Sequence, residues 1–173
     1  MRPPAGQAYI AVLPFVRGRR ALHPRSFGDA EHELWKKNIA RFVELYAFLI
    51  GIDLHGYGST TFKKEAKERG AEPDECYLIG KKPDAFQEIV VEVIHSAPLL
   101  NKQEVYAGME VSEVWVFKDG AFGLFALDRA TKRYVEVSRS ALLPSLDFSM
   151  VARYVVREDT PQALREFAAA IRS

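Results

Sequence analysis

The sequence predicts a single α/β domain, a mixed β-sheet with helices packed against it. Three observations predict it. Leu34, Trp35, Ile39, Phe42, Val43, Tyr46, Phe48 and Leu49 recur mostly at steps of three and four, the period of a helix with one buried face. EIVVEVI, residues 88 to 94, is apolar on both faces apart from one carboxylate, the pattern of a strand in the middle of a sheet. EVWVFK, GLFALD and RYVEV then follow as three short strands divided by turn residues. A chain of 173 residues is long enough for one domain with a sizeable core. Its 48% apolar and 27% charged residues, with eleven Phe, argue for a folded chain and against disorder.

Taken in order, residues 1–28, rich in Pro, Gly and Arg, read as an extended arm with a short strand at Tyr9 to Phe15. Residues 29–173 form the domain. Asp29 can accept from the unpaired first-turn amides of the first helix, and Gly51 suits its C-terminal cap. HGYGSTTF reads as a turn leading into a short strand, and KKEAKERG as a charged surface connection. ECYLIG, 75 to 80, and EIVVEVI are strands separated by KKPDAFQ. Pro98 allows a helix over 99 to 108, closed by Gly108. Lys118-Asp119-Gly120 and Asp128 to Lys132 are the turns of a meander, which places the antiparallel part of the sheet toward the C-terminal side. DTPQALREFAAAIRS is a last helix, capped by Asp159 or Thr160, with Pro161 at its first position. No glycine fingerprint follows a strand, which argues against a dinucleotide-binding fold, and GYGST is too short for a phosphate loop.

Charge and cysteine content narrow the function. Twenty-four Lys and Arg against twenty-three Asp and Glu leave a net charge of +1, with no overall basic field to attract nucleic acid. A nucleic-acid partner therefore needs a local patch. Arg17, Arg19, Arg20 and Arg25 in the arm, and Lys63, Lys64, Lys67 and Arg69 ahead of Asp74, are candidates for phosphate contacts. Glu65 and Glu68 interleave the second group, so a solvated connector accounts for it equally well. The lone Cys76 excludes an internal disulfide and a multi-cysteine zinc site and suits a reducing interior. Pro3, Pro4 and Pro14 break the N-terminal apolar stretch, so neither a signal peptide nor a membrane span is read and a cytoplasmic location is expected.

The chemistry starts from Glu92. In a strand alternate side chains share a face, so Glu92 stands beside Val90 and Ile94 among apolar neighbours. A buried carboxylate requires a partner, an ion, a proton or water. Asp74 immediately precedes the strand ECYLI. If that strand lies beside residues 89 to 94, the two carboxylates approach within the span of one divalent ion. Mg²⁺ suits such a site, with hard oxygen ligands, several waters and room for a phosphate oxygen. Lys102, on the following short helix, has a stem long enough to return its ammonium over the strand end, where it can balance charge on a phosphate or orient a water. His32, Asp29 and Glu33 near the first helix start read as ordinary dipole and capping chemistry. His95 and Tyr106 read as packing, and Ser96 as the strand's end.

EPDECYLI, IVVEVIHS and NKQEVYAGMEVSEVWVF together resemble the Uma2 family, also called DUF820, whose uncharacterised members are regarded as endonucleases of the PD-(D/E)xK fold. The likeness runs from the helix at about residue 29 through the C-terminal strands and is strongest over 72 to 117. It implies a restriction-endonuclease-like core, a mixed sheet flanked by helices, with Asp74 as the first acid and Glu92 as the second. In the general nuclease pattern a lysine sits two residues after the glutamate, where this chain has Ile94. Lys102 matches the place on the following helix to which family members move it. The resemblance also asks for an acid on the first helix, where Glu31, Glu33 and Glu44 are candidates and Glu33 is the one carried into the site. The expected activity is a DNA endonuclease using Mg²⁺, or Mn²⁺ in its place. Its ion would be held by Asp74, Glu92 and the backbone carbonyl of Val93, with a homodimer as one route to cutting two strands. The alternative is a non-catalytic module of the same fold that binds nucleic acid or protein.

Overall fold

The computed structural model describes residues 25–59, 71–80, 88–94 and 100–173. They form helix α1 (Arg25–Ile50), strands β1 (Leu54–Gly56), β2 (Glu75–Ile79) and β3 (Ile89–Ile94), and helix α2 (Leu100–Gly108). Strands β4 (Glu113–Lys118), β5 (Ala121–Asp128) and β6 (Arg133–Val137) follow, then helices α3 (Phe148–Val155) and α4 (Thr160–Arg172). The strands lie side by side in chain order in one mixed sheet flanked by helices. Only β3 and β4 run parallel, as they must when α2 crosses between them. β1, β2 and β3 pair antiparallel, as do β4, β5 and β6. The antiparallel pairing expected on the C-terminal side therefore occupies both sides of the central pair.

Two apolar layers cover the sheet. Ile39, Phe42, Val43 and Tyr46 of α1 pack with Val151 and Val155 of α3 and Phe167 of α4 over Tyr77, Val91, Trp115 and Phe117. On the other face Tyr106 and Ala107 of α2 cover Cys76, Val90, Val114 and Val116. β3 is buried on both faces, which explains its unbroken apolar run. Asn38, fully buried, ties α1 to the junction of α3 and α4. Its amide donates to the carbonyls of Val155 and Arg157, and its Oδ1 accepts from Thr160.

Helix α1 begins at Arg25, four residues before the expected cap Asp29. Its far end follows the expectation. Gly51 takes φ 75°, the Ile52 amide donates to Ala47 O at 2.8 Å, and the Gly51 amide donates to Phe48 O at 3.4 Å. β1 takes in His55 and Gly56 at the start of HGYG, and the short strand expected after that turn falls on residues 60–62, outside the described residues. Gly108 closes α2 as its last residue, but the left-handed turn falls at Glu110, φ 62°. The β4–β5 hairpin turns on Asp119 and Gly120, both with positive φ, as a two-residue turn requires. Asp159 stands at the N-cap of α4 with Pro161 in the first turn, yet its side chain caps nothing, because it pairs with Arg157. Helix α3 was not expected from the sequence. Asp147 caps it, its Oδ1 accepting from the Met150 amide at 2.9 Å. The arm strand at Tyr9 to Phe15, the connection bearing Lys63, Lys64, Lys67 and Arg69, and His95, Ser96 and Pro98 lie outside the described residues. No described helix is long and apolar enough to cross a membrane.

Candidate active site between helices α1 and α2

Asp74 extends the β2–β3 ladder by one residue. Its amide donates to Val91 O at 3.1 Å, and its Oδ2 accepts from the Val93 amide at 2.8 Å. The carboxylate is thereby fixed where β3 ends, between the two helices. Antiparallel pairing of β2 with β3 delivers it there, as the sequence argument required.

Glu92 projects from β3 toward α2 and is only 3% exposed. Lys102 and Tyr106, four residues apart and so on one face of α2, both reach it. Lys102 Nζ lies 3.0 Å from Oε1 and 2.9 Å from Oε2, and the Tyr106 hydroxyl donates to Oε1 at 2.5 Å. Lys102 also donates to Glu72 O at 3.0 Å. Burial pushes the Glu92 carboxyl above its ordinary value, and the Asp74 charge adds to the rise. The Tyr106 and Lys102 hydrogen bonds and the lysine charge oppose it. Burial and the Glu92 charge together push the Tyr106 phenol far up, so it is a hydrogen-bond donor at any working pH.

Helix α1 closes the other side. His32 Nε2 lies 3.2 Å from Val93 O and 3.5 Å from Asp74 Oδ2. One helical turn on, Lys36 Nζ stands 3.9 Å from Asp74 Oδ1 and 3.9 Å from Glu33 Oε1. Glu33 is therefore at the rim, with its side chain 67% exposed and linked to Asp74 only through His32 and Lys36. Of the other helix acids considered, Glu44 lies far along α1, against Gly56.

The expected residues Asp74, Glu92, Lys102 and the Val93 backbone thus meet at one place, with Glu33 at its edge. His32, Lys36 and Tyr106 belong to the same place and were missed. A legible signal existed for the first two, since residues four apart on a helix share a face. The sequence instead reads His32 and Glu33 as capping residues, whereas α1 starts about two turns before them.

Among the described residues, no group of three or more His, Cys, Asp and Glu is arranged to hold a metal ion. The nearest set is two carboxylates and one backbone carbonyl, Asp74, Glu92 and Val93 O. These are hard oxygen donors, the type that Mg²⁺ and Mn²⁺ take, and Mg²⁺ is commonly held by one or two carboxylates with water completing its shell. Each donor already has a contact: Lys102 and Tyr106 on Glu92, the Val93 amide on Asp74 Oδ2, and His32 on Val93 O. The residues fit such an ion in kind, and seating it requires Lys102 to release one Glu92 oxygen.

No protein-family model matches the sequence. A comparison with curated proteins finds no match either.

Proposed function

We propose that the chain is a metal-dependent phosphodiesterase, a DNA endonuclease with a restriction-endonuclease-like core similar to the Uma2 family. One observation carries the reading. Two carboxylates from adjacent strands, Asp74 and Glu92, converge with the ammonium of Lys102 from α2 at the end of a central strand. A purely structural buried acid needs one partner. This one has a second acid nearby that raises its charge cost, which is the arrangement an added cation relieves.

In this reading Asp74, Glu92 and Val93 O hold Mg²⁺ or Mn²⁺, which when bound supplies a polarised phosphate and a more acidic water. Val93 N–H fixes the Asp74 carboxylate so that Oδ1 faces outward toward Lys36. Tyr106 holds Glu92 Oε1, while Lys102 spans both oxygens and is the group able to exchange a carboxylate for a phosphate oxygen. Lys102, with its side chain 42% exposed, can move, as a point charge on a flexible stem should. Lys36 adds a second cation on the α1 side for an incoming phosphodiester.

The same Glu92–Lys102–Tyr106 contacts favour a second reading, a closed ion pair in a non-catalytic binding module of this fold. Labelled DNA and RNA duplexes incubated with Mn²⁺ and wild type, Asp74→Asn or Lys102→Ala separate the two. Cleavage by wild type that both variants lose supports the enzyme. Binding by all three proteins without cleavage by any supports the module.

A further inference from the structure

A second cluster of oxygen ligands lies on the face of the sheet that α1 covers. Glu75 and Tyr77 alternate with Cys76 on β2 and so share the face that α1 covers. Glu75 is buried, and its Oε1 accepts from the Gly58 amide at 2.6 Å and the Cys76 amide at 3.0 Å. Glu44 comes from α1, eleven residues after Glu33, about 16 Å along the helix. It reaches over Gly56, whose register partner on β2 is Tyr77. A Cβ on Gly56 would lie 2.4 Å from Glu44 Oε1 and 3.4 Å from Tyr77 Cε1, so the missing side chain makes the notch in which carboxylate and ring edge meet.

The Tyr77 hydroxyl is the observation that points to an occupant. Tyr77 is fully buried, and its hydroxyl is the one buried side-chain polar atom among the described residues without a hydrogen-bond partner. An orphaned buried hydroxyl is costly and calls for an unseen partner. The Tyr77 ring edge borders the Gly56 notch together with Glu44 Oε1, and Glu75 precedes Tyr77 by two residues on the same face of β2, so both carboxylates share its side of the strand. Lys36 and Lys37 are the cations that act on Glu75 from α1, and the first of them is shared with Asp74 and Glu33.

We propose that Glu44, Glu75 and Tyr77 form a second cation site, which takes a hydrated hard divalent ion between the two carboxylates over Gly56. The carboxylates supply the charge. A coordinated water accepts the Tyr77 proton with its remaining lone pair, completing the one unsatisfied buried group. The ion pins β1, the edge strand, to α1 and β2. The site is independent of the Asp74–Glu92 centre and of any nuclease activity.

Mn²⁺ uptake followed by the loss of the free-ion paramagnetic resonance signal tests this in an Asp74→Asn/Glu92→Gln background, with folding verified by circular dichroism. The double variant is expected to retain Mn²⁺ binding. Adding Glu44→Gln, at an exposed position, should weaken that binding by more than about tenfold, and adding Tyr77→Phe by about tenfold, as for loss of an outer-shell partner. A folded double variant that takes up no Mn²⁺, or whose uptake ignores Glu44→Gln, overturns the site. If the double variant does not fold, the wild type and Glu44→Gln are compared instead, and equal Mn²⁺ stoichiometry overturns it. Uptake unchanged between wild type and the double variant would instead mean that the Asp74–Glu92 centre takes no Mn²⁺, a separate result that leaves the second site standing.

Discussion

Lys102 Nζ sits within hydrogen-bonding distance of both carboxylate oxygens of Glu92, at 3.0 and 2.9 Å, closing a pair whose acid is buried and whose base reaches solvent. An ion and this lysine therefore compete for the same oxygen lone pairs. Lys102→Ala is expected to leave Mn²⁺ affinity equal or higher while lowering turnover by about 10²–10³, the usual cost of one charge-stabilising donor. Calorimetric titration beside single-turnover cleavage checks it. Weaker binding together with lost turnover would make Lys102 a structural prop for Glu92.

Tyr106 donates to the same carboxylate from a fully buried position. Tyr106→Phe removes that bond and leaves a lone pair of a buried carboxylate unpaired, which should cost about 1–3 kcal/mol. Urea unfolding at neutral pH measures the loss. A variant as stable as wild type would mean that water or Lys102 replaces the hydroxyl.

Stability should carry the signature of the buried Glu92. Its carboxyl is raised above the ordinary 4.5, first by burial. A raised carboxylate favours the protonated fold. Its contribution is fully present below pH 4.5 and is lost as pH rises through the raised value. Glu92→Gln cannot ionise, so wild-type stability relative to the variant should fall as pH rises from 4.5 through the raised value and level off above it. Glu75 and Glu44, also raised chiefly by burial, titrate with the same sign, so the comparison must be made pairwise against the variant. Metal-free denaturation curves across pH 4 to 8, with a difference that is flat or rises with pH, would contradict this.

At Gly56 the chain needs room rather than backbone freedom. Gly56→Ala puts a methyl 2.4 Å from Glu44 Oε1, the far end of a flexible side chain. The carboxylate should swing aside at a stability cost below about 1 kcal/mol, consistent with surface substitutions in general. Mn²⁺ uptake at the second site should weaken with it. Thermal melts and Mn²⁺ titration of this one variant separate the two effects, and unchanged uptake would remove Gly56 from the site.

Much of this was legible in the sequence, for reasons that differ by element. β3 declared itself because burial on both faces demands an unbroken apolar run, and β4 to β6 because turn residues such as Asp119-Gly120 punctuate them. The α1 face followed from its period of three and four. Helix α3 was missed because Asp147 precedes a stretch of eight residues with only Val151, Ala152 and Val155 buried, too short for a period to show. The antiparallel partner on the N-terminal side was missed because β1 is three residues long. Glu92 was legible because a carboxylate among valines demands an explanation, and Asp74 because it immediately precedes a strand that could lie beside that one. His32 and Lys36 were not, since their role depends on which way α1 crosses the sheet, and that orientation is set by Asn38, Phe42 and the helices packed beyond them.

The central claim is that Asp74 and Glu92 hold an ion for phosphodiester hydrolysis. A time course on supercoiled plasmid DNA with Mg²⁺ or Mn²⁺ tests it most directly, run for wild type, Glu92→Gln and an EDTA-treated control purified in parallel. Nicking or linearisation by the metal-supplemented wild type alone is the predicted result. Cleavage that survives Glu92→Gln, or a folded wild type silent on DNA and unable to bind either ion, would contradict it and leave Glu92 as the buried half of an ion pair.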